Sequence, residues 1–172
     1  MKLNEALDKC KDLELKMSEV YLWCSSHYEG IELRQLFFEM SNQEQAHARM
    51  LDEIARAHKG SEIKIELTTD VIAREEDLLN KMIQFVKLKP ELDELLLRIA
   101  DMESQEVNLI FESICQSDII GTKLSGSAGI NTKFHINLLK KAVESLPLKE
   151  ATKQAIYGIQ IRDKHYYRLF NS

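Results

Sequence analysis

Glycine and proline are scarce, with 6 Gly and 2 Pro in 172 residues. Average usage would give about 12% of the two together, and this chain has less than half of that. These residues end helices and shape tight turns. Their scarcity excludes collagen-like, proline-rich and turn-dense all-β chains and predicts long uninterrupted helices. Long apolar runs are also missing: Leu95-Leu96-Leu97 is typical, far short of the roughly 20 residues that span a bilayer. The opening residues Met1-Lys2-Leu3-Asn4-Glu5 form no apolar signal segment. The cysteines are Cys10, Cys24 and Cys115, an odd number without a C-x-x-C pair. That spacing excludes a disulfide framework or zinc ribbon and fits reduced thiols. The expectation is a cytoplasmic protein that does not engage a membrane.

What is present fits a packed domain. The chain is 44% hydrophobic and 30% charged, outside the disordered range, and its length suits a single domain over 1–172. The net charge of −5 is unevenly spread: residues 121–172 hold 9 Lys and Arg against 3 Asp and Glu, leaving 14 against 25 in residues 1–120. The basic residues of the last third are scattered and the whole chain is acidic, so no nucleic-acid partner is expected.

Apolar residues recur in alternating steps of four and three, the pattern of a helix that keeps one face toward a partner. The first stripe, over about 3–28, reads Leu3, Leu7, Cys10, Glu14, Met17, Tyr21, Cys24, Tyr28. After Gly30 a second, over about 31–58, reads Leu33, Phe37, Met40, Glu44, His47, Leu51, Ile54, His58. So short a connection predicts an antiparallel pair. Residues 61–69 alternate like an extended segment. Residues 70–88 carry a helical pattern through Val71, Leu78, Met82, Phe85 and Val86 that stops before Pro90. A third strong stripe, over about 91–116, reads Leu92, Leu96, Ile99, Glu103, Glu106, Ile110, Ile114. The Ser/Gly-rich stretch 117–131 reads as a loop, followed by a helical segment from Phe134 to Leu146. The last helix, begun near Pro147, carries Ala151, Ala155, Gly158, Arg162, His165 and Leu169.

Each strong stripe is interrupted by ionisable residues near its middle. Buried carboxylates are costly unless they are paired or bind metal, and antiparallel helices would bring these groups to one level. Glu44-x-x-His47 places both side chains on one helix face, where they can chelate one ion. Tyr21 and Met17, near the same level, read as core packing, His58 as a helix-end residue and Trp23 as a packing or contact residue.

On these residues the chain resembles the rubrerythrin branch of the ferritin-like superfamily. The stretch from Glu14 to Tyr21 looks like that family's first-helix motif. The stretch from Leu33 through Glu44-Gln45-Ala46-His47-Ala48-Arg49 looks like its second, 30 residues on from Glu14 to Glu44. Glu103 and Glu106 resemble the third-helix pair, and His165 matches the fourth-helix histidine. The resemblance implies an all-α, ferritin-like antiparallel four-helix bundle with a crossover between helices 2 and 3. It also implies a di-iron site, to be filled here by one or two ions with zinc or manganese as substitutes, and an oxidoreductase acting on dioxygen or peroxide. The implied ligands are Glu14, Glu44, His47, Glu103, Glu106 and His165. A homodimer is implied as well, and an exogenous electron donor, since no rubredoxin-like cysteine pairs are present.

One position departs from the pattern. Three residues before His165 the family has Glu, and this chain has Arg162. Four carboxylates and one guanidinium sum to −3, so one divalent ion leaves −1 and two leave +1. This arithmetic favours one metal, with Arg162 forked between carboxylates where a second would sit. Glu14, Glu44 and His47, with Glu106 as a further candidate, would then hold the ion, and Glu103 and His165 would either partner Arg162 or stand behind the ligands. Three functions fit: an oxidoreductase, a non-catalytic metal-binding protein, and a metal-free structural or interaction bundle with Arg162 neutralising the cluster.

Overall fold

The computed structural model describes residues 1–60, 69–104 and 135–159. The regular structure among the described residues is helix, without a strand. Helix α1, Leu3–His27, buries the whole predicted stripe from Leu3 to Cys24, Glu14 included. Ala6, Leu13 and Val20 widen that stripe into a face broad enough for two neighbours. Gly30 ends the connection to α2, Ile31–Ala57, with φ of 107°, a conformation that disfavours any side chain.

Cross-links fix the direction of this pair. The Asn4 amide donates to the His58 carbonyl, Lys11 Nζ to Asp52, and Ser25 Oγ to the Arg34 carbonyl. Ser18 and Ser41 share a buried hydroxyl hydrogen bond of 2.9 Å between the first and last of these levels. One residue number rises as the other falls, so α1 and α2 are antiparallel, as expected. His58 caps this hairpin, its Nδ1 3.0 Å from the Ile54 carbonyl.

Helix α3, Thr69–Lys87, packs on α1 and stops before Pro90, with Lys89 at φ 52° in the turn. Its buried stripe is Ile72, Glu75, Leu79, Met82 and Val86. The predicted stripe is offset from it: Leu78 and Phe85 are only half-buried, because the face toward α1 runs one residue along. In α4, Leu92–Ser104, the buried residues are Leu95, Leu96, Ile99, Ala100 and Glu103. The Tyr28 hydroxyl donates to the Pro90 carbonyl at 2.7 Å, and the Tyr21 hydroxyl to Glu103. Thus α4 runs opposite to α1 and parallel to α2.

The described part of a fifth helix, α5, covers 135–145, lies beside Glu103 at His135 and runs opposite to α4. Its far end turns into α6, Glu150–Tyr157. Asp93 of α4 caps that helix, accepting from the Lys149 backbone N–H at 2.9 Å and Thr152 Oγ1 at 2.5 Å. The cap turns Thr152 and Ile156 inward, whereas the predicted seam residues Ala151, Ala155 and Gly158 are exposed. Tyr21, Phe37, Met40, Leu96, Ile99, Leu139, Val143 and Ile156 share one core. No described helix is long and apolar enough to cross a membrane.

Candidate metal centre

Four helices converge on one level. Glu14 comes from α1, Glu44 and His47 from α2, Glu103 from α4 and His135 from α5, and all five are buried. His47 Nδ1 lies 3.0 Å from Glu44 Oε2 and 3.4 Å from Glu14 Oε2. His135 Nδ1 lies 3.0 Å from Glu103 Oε2 and 3.4 Å from Glu44 Oε1. Glu44 is therefore the hub, one carboxylate oxygen toward each histidine. The two imidazole rings are 5.6 Å apart between centroids, tilted by 36°. Glu44, His47 and His135 each present a donor atom within 4.8 Å of the other two, close enough to hold one metal ion. Glu14 and Glu103 flank that set, each beside one histidine.

The electrostatics are severe without a cation. Burial pushes the Glu44 carboxyl well above the usual carboxylate range, and the charges of Glu14 and Glu103 push it further. For His135, burial alone would lower the imidazole value. The charge and hydrogen bond of Glu103, with Glu14 beyond, outweigh it and raise the value above that of an ordinary histidine. Tyr21 is fully buried, and its phenol is held well above its usual value by burial and by Glu103 and Glu44. It remains a donor to Glu103, fixing that carboxylate as well as filling the core. His135 Nε2 is buried without a hydrogen-bond partner among the described residues.

Beside the histidines lies a cavity of about 20 Å³. Its polar walls are Glu14, Glu44, Glu75 and Glu103, and its apolar walls are Leu13, Met17, Leu79 and Met102. Glu75 is 1% exposed, and neither of its carboxylate oxygens meets a hydrogen-bond partner among the described residues. Burial raises its carboxyl value, partly offset by the neighbouring Arg74.

Of the residues expected from the sequence, Glu14, Glu44, His47 and Glu103 are brought together. Glu106, Arg162 and His165 lie outside the described residues. His135 and Glu75 were not singled out from the sequence, though both leave a signal there. Glu75 interrupts the stripe Ile72, Leu79, Met82, Val86 at its second position, as Glu14 and Glu44 interrupt theirs. His135 opens a stripe continued by Leu139, Ala142 and Leu146, where a helix start and a seam position cannot be separated by periodicity alone. Comparison with known proteins gave no matching family model, no matching curated protein and no matching solved structure.

Proposed function

We propose that this protein is a metal-binding helical bundle of the ferritin-like, rubrerythrin-type design. Its ion is held by Glu44, His47 and His135 and flanked by Glu14 and Glu103. The observation that carries the reading is the placement of two buried imidazole nitrogens, each within 3.4 Å of two carboxylate oxygens. Four carboxylate oxygens around these two nitrogens, drawn from separate helices and buried, are costly to assemble without a cation. The family topology receives support from the directions of the helices: α1 and α2 are antiparallel, α4 runs with α2, and α3 makes the intervening return. Helix α5 then supplies the fourth-helix histidine through His135, a role that the sequence resemblance gave to His165.

The donor set favours iron. Two histidines with a carboxylate are the ligand type of non-haem Fe(II) centres, with zinc and manganese as competitors for the same donors. Bound iron would supply redox chemistry toward dioxygen or peroxide, with electrons from an exogenous donor. The chain's own residues hold and orient. Tyr21 and Glu103 fix His135, Glu44 joins the two histidines, and the buried core excludes bulk water. A homodimer belongs to the same reading.

Two measurements test it. Protein grown in iron-supplemented medium is expected to retain metal through gel filtration, and its Glu44→Ala variant to lose it. Iron-loaded protein is expected to consume peroxide faster than Glu44→Ala. Equal peroxide rates would remove the oxidoreductase and leave metal binding. The competing reading is a metal-free bundle whose cluster is an ion-pair core, favoured by the raised basicity of His135 beside Glu103. A melting temperature unmoved by chelator, in protein isolated without metal, would establish that reading instead.

A further inference from the structure

Glu75 is the feature that the candidate metal centre leaves unused. It comes from α3, the helix that carries no ligand in the sequence resemblance. Its side chain is buried, and neither carboxylate oxygen meets a hydrogen-bond partner among the described residues. Native proteins rarely leave such a group unsatisfied, and each instance calls for an explanation. The three other carboxylates around the small cavity all have donors. Glu14 lies beside His47, Glu44 beside His47 and His135, and Glu103 beside His135 and the Tyr21 hydroxyl. The remaining walls, Leu13, Met17, Leu79 and Met102, offer no side-chain donor. A volume of about 20 Å³ holds one water.

Hydrogen-bond counting then places a proton. An ionised Glu75 would rest on that water alone, a single partner for a full buried charge. A protonated Glu75 donates its O–H to the water, and the water donates both of its own protons to the ionised neighbours. Every polar group is then satisfied. Charge counting agrees: Glu14, Glu44 and Glu103 with one divalent ion sum to −1, and an ionised Glu75 would bring −2 into a buried space. The groups facing the cavity are Glu14 of α1, Glu44 of α2 and Glu103 of α4, with exposed Arg74 beside Glu75 on its own helix. Burial holds the Glu75 carboxyl above its usual value despite Arg74.

We propose that Glu75 is the proton store of this centre, a neutral carboxylic acid that reaches the reacting oxygen through one water in the cavity. The proposal rests on the ion held by Glu44, His47 and His135 and on the oxidoreductase reading. Glu44 belongs both to the cavity wall and to the ion's ligands, so the water stands next to the reaction. Reduction of one peroxide takes up two electrons and two protons and leaves two waters. The exogenous donor supplies the electrons. For the first proton, the Glu75 O–H bond breaks, and the cavity water gains that proton while passing one of its own to the oxygen being reduced. The Glu75 carboxylate is reprotonated from solvent and delivers the second proton by the same route. Glu75 acts through the water and does not touch the substrate, so its role is to position a proton.

The test uses the full chain loaded with Zn²⁺, which fills the ion position without turnover. Infrared spectroscopy at pH 7, in light and heavy water, reads the carbonyl stretch of protonated carboxylic acids. Exposed carboxyl groups are ionised at that pH and give no such band. Wild type is expected to show one acid band, moved by heavy water and absent from Glu75→Gln. No band in wild type, or the same band in Glu75→Gln, overturns the proposal and leaves the metal site standing. Zinc lost from wild type removes the ion site and the proposal together. In iron-loaded protein, Glu75→Gln is expected to keep its iron and its KM for peroxide while kcat falls about 100-fold or more. An unchanged kcat overturns the relay. Peroxide left unconsumed by iron-loaded wild type removes the oxidoreductase reading and the relay with it. Should Glu75→Gln not fold, Glu75→Asp, an acid of shorter reach, decides in its place. An acid band displaced from the wild-type position supports the assignment, and an unmoved band belongs to another carboxylate and overturns it.

Discussion

At the scale of single residues, the candidate metal centre is a set of opposed demands. Glu44 is buried, faces two histidines and lies among the charges of Glu14 and Glu103, so its carboxylate is unfavourable until a cation arrives. Glu44→Gln is therefore expected to raise the melting temperature of the metal-free protein while abolishing metal retention. Calorimetry with elemental analysis checks both, and a lowered metal-free melting temperature would count against the account. Tyr21 acts differently, donating to Glu103 from full burial. Tyr21→Phe removes that donor and is expected to cost about 1–3 kcal/mol in urea unfolding. By loosening Glu103 and His135 it should also weaken metal binding by roughly 10–100-fold. Four of the centre's residues, Glu14, Glu44, His47 and Glu103, could be read from the sequence because each interrupts an otherwise apolar stripe near mid-helix. Glu75 escaped because the stripe of its helix is ambiguous by one residue. Choosing Val71 and Leu78 over Ile72 and Leu79 turns Glu75 to the outside.

Among the elements, the α1–α2 hairpin was the most legible. Its stripes are long, its turn requires Gly30, and no other face competes for burial. Helix α4 was legible through Glu103. Helix α5 carries only a short apolar run after the Ser/Gly-rich stretch, and nothing local distinguishes His135 as a ligand from His135 as a helix-start residue. That distinction comes from α5 packing against α4 and α2, which is long-range information. The register of α6 departs from its sequence pattern for a similar reason: Asp93, 59 residues from Thr152, sets its inward face. Asp93 is held below the usual carboxylate range by Thr152 and the Lys149 N–H. Asp93→Ala is expected to speed amide exchange in 150–157 while leaving α1 and α2 unchanged. Uniform exchange across all helices would contradict a local cap. In the core, Leu96 is fully buried in α4, and Leu96→Ala should cost about 2–5 kcal/mol in urea unfolding.

For the whole molecule, the buried groups predict how stability follows pH. Glu44 and Glu75 keep their protons to higher pH when folded than the ordinary Glu value of 4.5. The metal-free folded state thus binds more protons than the unfolded chain, and stability falls as pH rises above 4.5. His135, raised above 6.5, adds in the same sense: its contribution is present below 6.5 and lost as pH rises through the folded value. Asp93, with its lowered value, acts oppositely at acid pH, but it is only half-buried and is screened by solvent. Metal binding needs the carboxylates ionised and the histidines neutral, so it strengthens as pH rises. The difference in melting temperature between metal-loaded and metal-free protein should therefore widen from pH 5 to pH 8. A difference that is constant or shrinks would exclude metal from the buried cluster. The most direct test of the central claim is anomalous diffraction at the iron edge, on crystals of protein grown in iron-supplemented medium and never exposed to chelator. The account predicts a peak in bonding contact with Glu44, His47 and His135. Well-ordered crystals showing these three side chains bonded directly to one another, with no anomalous peak between them, would contradict it.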